Sequence, residues 1–107
     1  MAAVEGEPLV DFEVAKVARI LGRRKGDAQV VVTRRGRTIT VLVARSDAGS
    51  AGDARVPVAQ LRGEAEGRFA LYWSRATGGW EAYGLTGTLV DCIEEVRRDA
   101  YGCFWGP

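Results

Sequence analysis

The spacing of apolar residues changes twice along this chain, and those changes constrain the fold more than any other feature. From Asp11 to Lys25 the apolar residues recur every three or four positions, which places them on one face of a helix. They are Val14, Val17, Ala18 and Leu21. Between Gln29 and Tyr83 the spacing is mostly alternate, as in half-buried strands. Helical spacing then returns at Leu89, Cys92, Ile93 and Val96. We therefore predict a helix, several strands and a second helix.

Capping residues mark the ends of both predicted helices. Asp11 is a good N-cap for the first helix, and Gly26 is predicted to stop it. The cations expected in its last turn are Arg23, Arg24 and Lys25. Thr88 is predicted to cap the second helix by exchanging hydrogen bonds with Asp91, and this helix is expected to end near Ala100.

Two β-hairpins are predicted between the helices. The first joins Gln29–Thr33 to Thr38–Ala44 through a turn in which Gly36 supplies the positive φ. In its second strand one side is predicted to face the core (Ile39, Val41, Val43), and the other side to be only partly covered. The second hairpin joins Arg68–Arg75 to Trp80–Tyr83 through Ala76, Thr77, Gly78 and Gly79.

One further strand is predicted at Val56–Leu61, where Pro57 suits a strand start or a sheet edge.

The resulting fold is α+β: an N-terminal helix, an antiparallel sheet of four to five strands including two hairpins, and a C-terminal helix, with the helices packed on one face. At 107 residues the chain is expected to form a single domain spanning residues 1–107. We expect residues 1–10 to be flexible and residues 46–55 to form a mobile loop, because the latter contain turn formers and nothing apolar larger than alanine.

A run of three aromatic residues, two glycines and a cysteine closes the chain at Tyr101–Gly106. Together with Leu71–Arg75, Trp80, Tyr83 and a helix anchored at Leu89, this run resembles a bacterial family of domains of unknown function, DUF3024. The resemblance spans roughly Val56 to Gly106 and supports the predicted order of elements. It implies no activity, because none is established for that family.

The composition excludes several kinds of site. The chain has no histidine, which removes the commonest general base and the commonest metal ligand. Cys92 and Cys103 do not form a Cys-x-x-Cys pair, and we expect both thiols to be packed rather than reactive. We predict no catalytic residue, no metal and no cofactor.

The N-terminal residues and the lengths of the apolar runs indicate where the protein is located in the cell. Residues 1–5 lack the basic region and apolar core of a signal peptide, and no run of eighteen apolar residues is present to span a membrane. We expect a cytoplasmic protein that does not bind membranes.

Charge is unevenly distributed although the net charge is only +1. Between Lys16 and Arg37 there are eight basic residues and one acidic residue, Asp27, a local net charge of +7. The candidate binding residues in this region are Arg23, Arg24, Lys25, Arg34, Arg35 and Arg37. Arginines on one surface would bind phosphates with strong salt dependence, whereas the alternative is an ordinary solvated surface.

Aromatic residues provide a second set of candidates. Trp73 shares a strand face with Phe69 and Leu71, so we expect it in the core, with Trp80 beside it across the hairpin. Tyr72 shares its face with small residues and is the better candidate for an exposed contact, with Arg75 nearby.

Two hypotheses of function follow. The first is a non-enzymatic binding module that contacts a protein or RNA partner through the basic N-terminal half, the sheet aromatics, or both. The alternative is a small-molecule-binding protein or enzyme with a pocket lined by Tyr72, Tyr83 and Arg75.

The apolar tail after Ala100 also has two interpretations. Gly102 can take the left-handed conformation that ends a helix and turn Phe104 and Trp105 back onto the sheet or the last helix, forming a structural clasp. The other interpretation is an exposed docking peptide.

Overall fold

The computed structural model describes residues 11–22, 28–45 and 54–105, and these contain two helices and five strands. In chain order they are α1 (Phe12–Leu21), β1 (Ala28–Arg35), β2 (Thr38–Arg45), β3 (Ala54–Ala65), β4 (Arg68–Ser74), β5 (Trp80–Gly87) and α2 (Leu89–Arg98). Each strand pairs antiparallel with the next, so the sheet order is β1-β2-β3-β4-β5. The predicted α+β fold is therefore confirmed. Residues 1–10 and most of the loop predicted to be mobile, residues 46–53, lie outside the described residues.

The hydrophobic core lies between one face of the sheet and both helices. Helix α1 packs on β1, α2 packs on β3, β4 and β5, and the two helices contact each other, so both cover the same face. Val17 of α1 and Ile93 of α2 are fully buried there, as are Ile39 and Val41 of β2. This confirms the face of β2 that the alternation predicted.

Helix α1 begins where the sequence predicted and ends earlier. The Asp11 carboxylate accepts hydrogen bonds from the backbone N–H groups of Glu13 and Val14 at 3.1 Å, which confirms the N-cap. The predicted stop at Gly26 is wrong, because Gly22 already takes a positive φ of 63° and donates its N–H to the Ala18 carbonyl.

Not every residue of the predicted apolar stripe of α1 faces the core. Val17 and Leu21 are buried and Val14 packs against them, but Ala18 is exposed. Ile20 packs against the core instead.

Pro57 lies near the start of β3, in the part of that strand that pairs with β2 alone, because the pairing of β3 with β4 begins at Ala59. This agrees with the predicted strand start or sheet edge. The register there shifts: Val41 pairs with Ala59 and Leu42 pairs with Pro57, which leaves Val58 as the extra residue of a β-bulge. A proline lacks the N–H that a regular ladder needs, and an interruption of the ladder removes that requirement.

The second hairpin has the predicted turn but not the predicted aromatic pair. Strand β5 continues beyond Tyr83 to Gly87. Trp73 pairs with Glu81 and Ser74 pairs with Trp80, so the two tryptophans lie on opposite faces of the sheet and the expected contact between them is wrong. Trp73 itself packs half-buried against the core, as predicted.

The N-terminus of α2 has the predicted capping box. The Asp91 N–H donates to Thr88 Oγ1 at 3.2 Å, and the Thr88 N–H donates to Asp91 Oδ2 at 3.1 Å. Gly87 lies directly beneath this exchange, and a Cβ atom there would be 2.9 Å from Asp91 Oδ2. The cap and the end of β5 therefore fit closely together.

The C-terminus of α2 ends at Asp99 rather than through Gly102. Asp99 takes the left-handed conformation with φ 47° and donates its N–H to the Glu95 carbonyl. The Gly102 N–H donates to the Asp99 carbonyl in the turn that follows. Gly102 also takes a positive φ, of 71°, as predicted, so Asp99 and Gly102 together turn the chain back. Aspartate adopts the left-handed conformation more readily than most residues.

The tail folds back as a clasp, which we define as residues 101–105. The Asp99 carboxylate accepts the backbone N–H groups of Phe104 at 3.0 Å and Trp105 at 2.9 Å. The Trp105 indole donates to the Val96 carbonyl at 2.7 Å, and the Phe104 ring lies 5.1 Å from that of Tyr83. Phe104 is 6% exposed, so the clasp interpretation is confirmed.

We predict that Thr88→Ala lowers the free energy of unfolding by about 1 kcal/mol, because it removes the side-chain acceptor of the capping box. Thr77→Ala, in the exposed turn between β4 and β5, is the matched control and should change it little. Chemical denaturation of both variants checks this. If Thr88→Ala lowered the free energy of unfolding by only a few tenths of a kcal/mol, the cap would not stabilise α2 as proposed.

We predict that Phe104→Ala lowers the free energy of unfolding by about 3 kcal/mol, because it removes a buried ring. Truncation after Ala100 should lower the melting temperature by about 10 °C or more. Tyr101→Ala is the control within the same segment, since Tyr101 is 80% exposed. Thermal denaturation of the three proteins tests the clasp. Equal melting temperatures for the truncated and full chains would contradict it.

Candidate binding surface

The sheet face opposite the helices is the candidate binding surface, and we call it the helix-free face. Alternation and strand register define its residues, because partners across neighbouring strands point to the same side. One row across the sheet consists of Arg35, Thr38, Arg62, Ala70 and Thr86. The next row consists of Thr33, Thr40, Gln60, Tyr72 and Ala82.

An arginine held against a tyrosine lies at the centre of this face. The Arg62 guanidinium carbon is 3.9 Å from the centroid of the Tyr72 ring, a cation–π contact. Arg62 Nε donates to Gln60 Oε1 at 2.8 Å, and Gln60 Nε2 donates to Thr40 Oγ1 at 3.2 Å. We call these four residues the Arg62 cluster. Three adjacent strands therefore fix the orientation of one guanidinium group.

The paired positions of the helix-free face carry arginines and no acidic residue, with Glu64 in the bulge of β3 and Glu66 in the turn that follows exposed nearby. Arg55 pairs with Ala44 on this side, and Arg68 precedes Ala70 by two positions on β4, so both join Arg35 and Arg62. Within the described residues, ion pairs join Arg34 to Asp11 and Glu13 and join Arg97 to Glu94, and none involves Arg62.

The three predicted binding arginines of the first hairpin lie on different faces of the sheet or in the turn. Arg35 is exposed on the helix-free face, and Arg37 is exposed in the two-residue turn that begins at Gly36. Arg34 lies on the helix-covered side, where its Nε donates to Asp11 Oδ2 at 2.6 Å and a terminal nitrogen donates to Glu13.

These contacts determine the ionisation of Arg34. Burial by itself would lower its pKa, but the hydrogen bonds with Glu13 and Asp11 outweigh burial and raise the pKa above its usual value. Arg34 therefore stays charged and ties the start of α1 to the end of β1.

The remaining predicted site residues lie in separate places. Tyr72 is on the helix-free face but half-buried beneath Arg62, and Arg75 is exposed immediately after β4. Arg23, Arg24 and Lys25 lie outside the described residues.

Sequence reasoning missed Arg62 and Gln60. The available signal was their i, i+2 spacing, with Leu61 between them facing the core. The predicted strand ends at Leu61, so Arg62 lies one residue beyond it, whereas β3 continues to Ala65.

Tyr83 occupies the opposite face from Tyr72. Its hydroxyl donates to Glu95 Oε2 at 2.6 Å, and its ring contacts the clasp. Burial first, and then the hydrogen bond with the Glu95 carboxylate, raise the Tyr83 pKa well above its usual value. Tyr72, Tyr83 and Arg75 therefore do not line a common pocket, as the small-molecule hypothesis required.

A groove of about 430 Å³ lies between the β1–β2 turn and the β3–β4 turn. Its polar lining is Glu13, Arg34, Arg37 and Glu66, and Phe69 is part of its apolar lining. Arg34 is already engaged with α1 there, and the charges of the groove are mixed.

The described ranges offer neither a metal centre nor a helix suited to a membrane. They contain no group of three or more histidine, cysteine, aspartate or glutamate side chains placed to hold a metal ion. Neither α1 nor α2 is long and apolar enough to cross a bilayer. Both cysteines are free; burial raises the pKa of the Cys92 thiol, whose Sγ donates to the Phe69 carbonyl at 3.5 Å.

We predict that stability falls as the pH rises above about 10, partly through Tyr83. The unfolded chain releases the tyrosine proton near pH 10, whereas the raised pKa keeps Tyr83 protonated in the fold, so ionisation favours the unfolded state over that range. Tyr83→Phe should therefore lose less stability than the wild type when the pH is raised from about 8 to about 10.5.

The control is Tyr101→Phe, which alters an exposed hydroxyl and should follow the wild type. Urea denaturation at both pH values provides the comparison. A wild type and a Tyr83→Phe variant with the same pH dependence would contradict the prediction.

Comparison with known proteins places these features in one family. No curated protein and no solved structure matches the chain. The family model described as "Domain of unknown function (DUF3024)" matches residues 8–106, which extends the resemblance of the second half over the first hairpin and α1. The chain belongs to the DUF3024 family.

Proposed function

We propose that the chain is a non-enzymatic binding module that holds an anionic partner, an RNA or an acidic protein segment, on the helix-free face of its sheet. The observation that carries the proposal is the Arg62 cluster. The guanidinium of the half-buried Arg62 is stacked on Tyr72 and hydrogen-bonded to Gln60, and no carboxylate among the described residues pairs with it.

The geometry of Arg62 suits an anionic ligand. Its Nε is occupied by Gln60, while its terminal nitrogens have no hydrogen-bond partner among the described residues. A guanidinium whose plane is fixed in advance loses less side-chain entropy when it forms paired hydrogen bonds with phosphate or carboxylate. The binding energy of such a contact is therefore greater than that of a freely moving surface arginine.

The neighbouring charges support the same surface. Arg35 and Arg68 are exposed on the same end of the helix-free face, where the paired positions hold no acidic residue. The nearby Glu64 and Glu66 form no ion pair with them among the described residues. Arg34 does not belong to this surface, because its guanidinium is already paired with the carboxylates of Asp11 and Glu13 on the other side of the sheet. The alternative, a small-molecule-binding protein or enzyme, loses its predicted pocket because Tyr72 and Tyr83 lie on opposite faces.

The proposal predicts that inorganic polyphosphate and poly-L-glutamate bind the wild type and that both lose most of their affinity for the triple variant Arg35→Gln, Arg62→Gln, Arg68→Gln. The physical reason is the loss of the three adjacent cations. Isothermal titration calorimetry at low and moderate salt measures both affinities.

The matched control removes the same charge from the helices, as Lys16→Gln, Arg19→Gln, Arg98→Gln, all exposed positions. It should bind nearly as the wild type does. Equal losses in the two triple variants would show attraction to net charge alone and would refute a defined binding face, as would a wild type that binds neither polymer.

A further inference from the structure

We infer that the anionic partner is a single-stranded nucleic acid, whose bases stack on the aromatic groups of the helix-free face while its phosphates contact the arginines around them. This inference rests on the proposed function and adds the chemistry of the ligand. It comes from the flat groups on that face, which a purely electrostatic surface does not need.

Two aromatic side chains point to the helix-free side on neighbouring strands. Tyr72 pairs with Ala82, and Trp80 pairs with Ser74, two positions beyond Tyr72 on the same strand. The rings are thus diagonal neighbours, with backbone positions about 7–8 Å apart. Consecutive bases of an extended strand can stack on aromatic groups arranged across a sheet in this way.

The β5 side of this surface has small neighbours. Ala82 pairs with Tyr72 and Ser74 pairs with Trp80. On the β3 side, Gln60 pairs with Tyr72 and Arg62 lies over its ring. Tyr72 and Trp80 are both half-buried, which restricts their motion while leaving surface for contact.

Arg62 adds a third flat group to this surface. It covers the Tyr72 ring at 3.9 Å, so a base approaching there meets the guanidinium plane, which stacks on nucleobases as aromatic rings do. Its free terminal nitrogens, with Arg35 and Arg68 on the same end of the sheet, are available to phosphates.

This combination separates single strands from the other anionic partners. An acidic peptide would use the arginines but would gain little from stacked rings. A duplex presents phosphates but buries the faces of its bases within the helix. Single strands expose both groups, so they match the surface fully.

The test uses fluorescently labelled twelve-nucleotide oligouridylate and oligothymidylate, which have little structure of their own, and measures binding by fluorescence anisotropy. Tyr72→Leu and Trp80→Leu should each lower the affinity about five-fold or more, the effect of losing one stacked base. Tyr72→Phe and Trp80→Phe keep a ring and should retain most of the affinity, which separates stacking from any effect on folding.

Phe12→Leu is the matched control, because Phe12 is 80% exposed but belongs to α1 on the other side of the sheet. It should bind as the wild type does. Quenching of tryptophan fluorescence by the oligonucleotide should be strong in the wild type and largely absent in Trp80→Leu. In the triple arginine variant the slope of log affinity against log salt should become less steep by about 2, since each phosphate contact contributes about 0.7.

The outcomes distinguish this inference from the proposed function. If polyphosphate binds on the helix-free face while the leucine variants bind oligonucleotides as the wild type does, stacking is refuted and the anionic module stands. Equal or tighter binding of a twelve-base-pair duplex, or of poly-L-glutamate, also refutes the inference. Binding of oligouridylate alone or of both oligonucleotides supports the inference. The ratio of the two affinities identifies the preferred sugar. If no anionic polymer binds, both proposals fail.

Discussion

The structure depends on the packing of both helices and the C-terminal clasp against a single face of one sheet. Ile39, Leu61 and Leu71 come from three adjacent strands and are almost fully buried in the core between the sheet and the two helices. Burial of each such side chain contributes about 1.5–3 kcal/mol, so this layer supplies most of the driving force for folding. Because the helices lie on one side only, the other side of the sheet must be compatible with water. Threonine, glutamine and arginine at the outward positions meet that requirement.

Asp99 joins the end of α2 to the clasp through two different properties of one residue. Its backbone adopts the left-handed conformation that ends the helix, and its carboxylate accepts the N–H groups of Phe104 and Trp105. The clasp then covers the ring of Tyr83, whose hydroxyl is bonded to Glu95 one turn earlier on α2. Strand β5, the helix and the tail thus stabilise one another, and the aromatic C-terminus belongs to the core rather than to the candidate binding surface.

Local sequence patterns predicted the elements and their buried faces, because the periodicity of a helix or strand depends on neighbouring residues. Thr88 with Asp91 and the alternation of Ile39 and Val41 are examples. Features that depend on pairing between distant segments were not predictable in this way. Pro57 is accommodated near the start of β3 by a bulge opposite Leu42, and the register of β4 on β5 separates Trp73 from Trp80. The stop of α1 at Gly22, rather than at the predicted Gly26, is likewise seen only in the structure.

The same distinction explains why a run of basic residues did not define the candidate surface. Arg34 and Arg35 are adjacent in sequence, but strand alternation sends them to opposite faces, where one is paired with Asp11 and the other is exposed. Arg62 lies 27 positions from Arg35, yet the registers of β1 on β2 and β2 on β3 place both in one row with only Thr38 between them. A binding surface on a sheet is built from such rows, so its charge is set by strand register. The arginine with the most defined geometry therefore comes from β3, a strand whose sequence contains no cluster of cations, and its role follows from the tyrosine and glutamine that hold it.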